Sequence, residues 1–91
     1  MGSTIEKVEY AYEEARQLME TRSQDYNDSW EEEGLESAIF SLYKKANQLK
    51  TMLENGRLFE NKSRSREDIL DAQNYSVFSL VLYDRRMKEV K

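Results

Sequence analysis

Cysteine, histidine and proline are all absent from this sequence of 91 residues, and glycine occurs only three times. Without cysteine there is no disulfide framework and no thiolate zinc site; without histidine there is no imidazole base or ligand. Catalytic triads, zinc hydrolysis and histidine relays are therefore excluded. A chain with no proline and little glycine has few helix breakers, which favours long helices. No stretch reaches the apolar length of a membrane span, and no secretory signal opens the sequence. The myristoylation pattern fails as well, because Glu6 stands where a small hydroxyl residue is wanted. The expectation is a cytoplasmic protein away from membranes. A net charge of -4 argues against general nucleic-acid binding through a basic face, while leaving room for a local basic pocket.

What is present is helical periodicity. Ile5, Val8, Tyr12, Ala15 and Met19 recur at spacings of three and four, which predicts a helix over about 4–24. Ser3 followed by Glu6 reads as its capping box. Ile39, Leu42, Ala46, Leu49 and Leu53 predict a second helix over 35–54, closed at Asn55-Gly56 by a residue that tolerates positive φ. A third is expected over 66–89 with Ser65 as N-cap. Its apolar residues fall on two faces: Ile69, Ala72, Leu80, Tyr83 and Met87 on one, Leu70, Val77 and Val81 towards another. A helix apolar on two sides needs two neighbours. The fold class is thus all-α, one domain over 1–91. Its three antiparallel helices are expected to complete four-helix-type bundles by homo-oligomerisation, chiefly through the third helix.

The third helix also carries polar residues into this apolar run. Asp68 and Asp71 lie three apart and share a face, with Asn74 one step on. Such a carboxylate pair can form half of a magnesium site. It can equally be acidic sequence opposing the macrodipole at a helix start. Asn74 can serve as a register device. Arg57, Lys62, Arg64 and Arg66 cluster before the third helix, where exposed backbone amides favour anions, so a phosphate site and a solvated charged loop both fit. Lys45 lies beside the second apolar stripe and can snorkel outwards or reach a phosphate. Tyr26 and Trp30, four apart, can stack on a base or close the open end of the bundle. The acidic run at 31–33 reads first as a solvated helix entry.

The ordered set "DYNDSW", "YKKANQL" and "EDILDAQNYSVFSLVL" resembles the nucleotide modification associated domain 1 family over roughly residues 12–83. That family is found largely in phage and bacterial genomes, and the resemblance implies a MazG-like all-α architecture of the NTP pyrophosphohydrolase type. By position, Lys45 looks like the family's helix-two lysine. Asp71, Asn74 and Tyr75 look like its helix-three site residues. Asp68 and Asp71 also resemble the ExxD half of the MazG metal motif. The other half, E-E-x-x-E, is missing: the second helix reads "LYKKANQLKTML", with lysines where glutamates would stand.

The resemblance therefore implies nucleotide binding more firmly than hydrolysis. The leading expectation is a phage-type protein of the host cytoplasm that binds a nucleotide or nucleotide-derived signal in a groove between helices, in the manner of a sponge. Its ligand-binding set is Tyr26, Trp30, Lys45, Arg64, Arg66, Asp71, Asn74 and Tyr75. The alternative is an active magnesium-dependent (d)NTP pyrophosphohydrolase with Asp68 and Asp71 as metal ligands. A third expectation is a ligand-free structural or interaction bundle.

Overall fold

The three periodic segments form three α-helices: α1 (Thr4–Tyr26), α2 (Trp30–Glu54) and α3 (Lys62–Glu89). The computed structural model describes residues 3–26 and 29–90, without the side chains of 23–26. Ser3 caps α1 as its sequence position implies, with the Glu6 N–H donating to Ser3 Oγ at 3.3 Å.

Two boundaries differ from the sequence expectation. Helix α2 begins five residues early, at Trp30, and is broken at Gly34, whose φ of 89° and ψ of 179° lie outside any helix. The turn before that break, Trp30 to Glu33, is the acidic stretch. Helix α3 begins at Lys62 because Asn61, not Ser65, is the cap: its side-chain oxygen accepts from the Arg64 N–H at 3.1 Å. Ser65 is instead buried inside the first turns, where its hydroxyl donates to the Leu58 carbonyl at 2.6 Å. Ser65 thus anchors the connection back to α2.

Helix α3 is the central element. It packs antiparallel on α2 and also against α1, while α1 and α2 do not pack on one another among the described residues. Its inner face is read by steps of three and four through Ser65, Asp68, Asp71, Asn74, Phe78 and Leu82. The first four of these are buried, and only Ala15, Ala38 and Leu82 join them as buried apolar residues. Among the described residues no large side chain is completely enclosed. The polar run in α3 is therefore the inner face itself, with the apolar residues Ile69, Leu80, Tyr83 and Met87 left exposed. Val77 and Val81 are also exposed.

Candidate functional site

The site is the junction where α3 meets both neighbours. Spacing of three along α3 aligns Asp68 and Asp71 on one strip, and each adjoining helix sends one cation to it. From α2, Lys45 Nζ lies 3.1 Å from Asp68 Oδ1 and 3.3 Å from Asp71 Oδ2. From α1, Arg22 bonds Asp71 Oδ1 with one amino group and Glu67 with the other. One turn further, the Asn74 amide donates to the Ala15 carbonyl at 3.0 Å, docking α3 on α1. Asn74 thus acts as a register device within one chain.

Burial and charge act in opposite senses on Lys45. Desolvation alone pushes its pKa down, but the hydrogen bonds and negative charges of Asp68 and Asp71 outweigh it, and the net shift is upwards. The ammonium stays charged through the neutral range. Asp68 is 5% exposed, and its Oδ2 has no donor among the described residues. A buried carboxylate oxygen without a donor is a costly feature for a chain to retain.

A hard dication wants several anionic or neutral oxygens around it. Here Lys45 Nζ stands between the two aspartates, Arg22 takes a third carboxylate oxygen, and no group of three acidic side chains gathers among the described residues. As arranged, the pair already holds its cation, and it is a lysine. Asp68 and Asp71 do not fit a magnesium site unless Lys45 withdraws.

The other expected residues are distributed around this junction. Trp30 is stacked on Phe78, with centroids 4.4 Å apart and planes 10° from parallel. Tyr75 meets the same Phe78 edge-on at 6.2 Å. One face of the indole is thus used inside the chain, closing the end of the α2–α3 pair. Tyr26 ends α1, and its side chain lies outside the described residues. Arg66 is engaged by Glu14 of α1, with a second contact at 2.7 Å. Arg64 is exposed one turn before Asp68. Like Arg57 and Lys62, it has no ion pair among the described residues.

An open cleft of about 210 Å³ lies between α1 and the start of α3, lined by Glu14, Ser63, Arg66, Glu67 and Leu70. Small-molecule pockets commonly enclose ~300–1,000 Å³, so this cleft is too small for a whole nucleotide.

Sequence reasoning missed Arg22 and Glu67, and it gave Ser65 the cap that Asn61 supplies. Arg22 had a signal: it is the next step, three residues beyond Met19, on the inner stripe of α1. A long cation ending an apolar stripe points at whatever the stripe packs on. Set beside known proteins, the chain matches no protein-family model, no curated protein and no solved structure.

Proposed function

We propose that the chain is a nucleotide-binding helical module that retains its ligand without efficient turnover and works as a homo-oligomer. The observation that carries this is the buried strip of Ser65, Asp68, Asp71 and Asn74 at a three-helix junction, with Asp68 Oδ2 left without a donor. A bundle selected for packing alone would bury apolar residues there. The family resemblance over 12–83 points to the same ligand class and to the MazG-like fold.

Charge decides how the ligand lies. Lys45 and Arg22 are outnumbered by Asp68, Asp71 and Glu67, so the junction itself disfavours a bare phosphate. A base or sugar therefore lies over the rim of the junction, since Asp68 Oδ2 itself is enclosed. The phosphates belong at the start of α3, where Arg64, Lys62 and Arg57 carry no ion pair among the described residues and the helix amides face outwards. Turnover is disfavoured because Lys45 occupies the carboxylate pair that a catalytic magnesium would need.

Native mass spectrometry and calorimetry with nucleoside mono-, di- and triphosphates, with and without magnesium, test this. The expected result is stoichiometric retention of an intact nucleotide in chelator, weakened about tenfold or more by Arg64→Ala, the scale of a lost charged hydrogen bond. Robust magnesium-dependent release of pyrophosphate would replace this reading with the hydrolase. No retention of any nucleotide would leave the structural bundle.

A further inference from the structure

One face of the molecule is apolar and belongs to none of the contacts above. Along α3, Arg66 and Asn74 point to α1, while Asp68 and Arg86 point to α2. The remaining arc runs through Ile69, Ala72, Gln73, Ser76, Leu80, Tyr83 and Met87. In a chain of which 35% is charged, none of these seven positions carries a charge. A solvated helix face is where charges ordinarily collect.

Helix α2 has a matching flank. Lys45 marks its inner line. Ile39, Tyr43, Ala46 and Leu53 lie to one side of that line, and Ser41 and Gln48 to the other. In two antiparallel right-handed helices, the flank of Ile39 and Tyr43 falls on the same side as the Leu80 arc of α3, away from α1. Leu80 and Tyr43 are both 61% exposed. The result is a face two helices wide that is apolar from Ile39 to Ala46 and from Ile69 to Met87, with Lys50 and Lys62 on the same lines only at the end where the two helices join.

Surface area identifies what covers it. The chain exposes 7224 Å², about 1,700 Å² more than the roughly 5,500 Å² of a compact monomer of its mass. A standard interface buries about 800 Å² from each partner, and obligate homodimers bury roughly 1,000–2,500 Å² from each. The excess is of the size that one copy of the same face would remove. Its radius of gyration of 15.0 Å, against about 12 Å for a compact chain of this length, agrees with a subunit that completes its core in an assembly.

We infer that the α2–α3 face is an isologous interface with a second copy of this chain, forming a four-helix core across a two-fold axis. The polar junction lies on the opposite side, towards α1, and is no part of this interface. The inference deepens the assembly part of the proposed function and is independent of what the junction binds.

Sedimentation or native mass spectrometry at micromolar concentration, with far-UV circular dichroism alongside, tests it on the full chain. The wild type is expected to be a dimer or a higher even assembly. Leu80→Lys and Tyr43→Lys, on different helices, should each weaken self-association by about a hundredfold, since a charge forced into an apolar contact is costly. Ile5→Lys, at a residue of α1 that is 64% exposed and off this face, should leave the assembly intact. A folded wild-type monomer would overturn the inference. So would dissociation by Ile5→Lys while both face variants remain assembled. If a face variant loses helicity on dissociation, reassembly on raising its concentration supports the interface, and unfolded chains at every concentration count against it.

Discussion

At the scale of single residues, Lys45 is the group on which most depends. Its ammonium is the only described partner of Asp68 and one of two for Asp71. Replacing it by methionine keeps the stem but strands a buried carboxylate. We expect Lys45→Met to lose about 2–4 kcal/mol of stability in urea titration, below the full range for an enclosed pair because the lysine is partly exposed. Its pH dependence has a definite sign. The folded pKa is raised, so the contribution is complete below the unfolded value near pH 10 and is lost as pH rises through the folded one. The stability gap between wild type and Lys45→Met should therefore stay constant from pH 7 to about 9 and narrow above pH 10. A gap that widens in alkali would show that Lys45 is not held by these carboxylates.

At the scale of elements, the break in α2 separates two tasks. Residues 35–54 provide Ala38 and Lys45 to the inner face, whereas the turn from Trp30 to Glu33 folds the indole onto Phe78. Gly34 makes that possible, since a φ of 89° with a ψ of 179° is open essentially to glycine alone. Nothing lies within 4 Å of where its Cβ would be, so the cost of a side chain is conformational and not steric. Gly34→Ala should cost about 1–3 kcal/mol, or straighten the helix and pull Trp30 from Phe78. Trp30 is the sole tryptophan, so its fluorescence reports the second outcome and thermal melting the first. Unchanged emission together with an unchanged melting temperature would rule out the strained turn. The sequence marked this region as an acidic helix entry, with Trp30 either stacking on a base or closing the open end of the bundle. A helix boundary set by one backbone angle has no periodic signature to read.

At the scale of the whole molecule, the proposed interface ties stability to assembly. A protomer whose buried apolar set is Ala15, Ala38 and Leu82 has little hydrophobic burial of its own to offset chain entropy. Association that removes the α2–α3 face from water should then contribute directly to folding. By mass action the melting temperature should rise with protein concentration, by several degrees between about 1 and 100 μM for a dimer coupled to folding. A melting temperature independent of concentration over that range would mean that the single chain is stable alone.

Helix number, approximate length and the presence of two apolar faces on α3 were legible from spacing alone, because a period of 3.6 is written into the sequence. Asp68, Asp71, Asn74 and Lys45 stood out for the same reason, as polar residues off their expected face. What spacing cannot carry is which face turns inwards. The apolar stripe of Ile69, Leu80 and Met87 reads as core in sequence, yet the chain buries Ser65, Asp68, Asp71 and Asn74 instead. That choice is made by Arg22 and Lys45, which arrive from two other helices. Their pairing with α3 spans 49 and 23 residues of chain, and partners so distant are brought together only when the helices pack. Local chemistry determined the helices; the charge match across them decided which side of α3 is the inside.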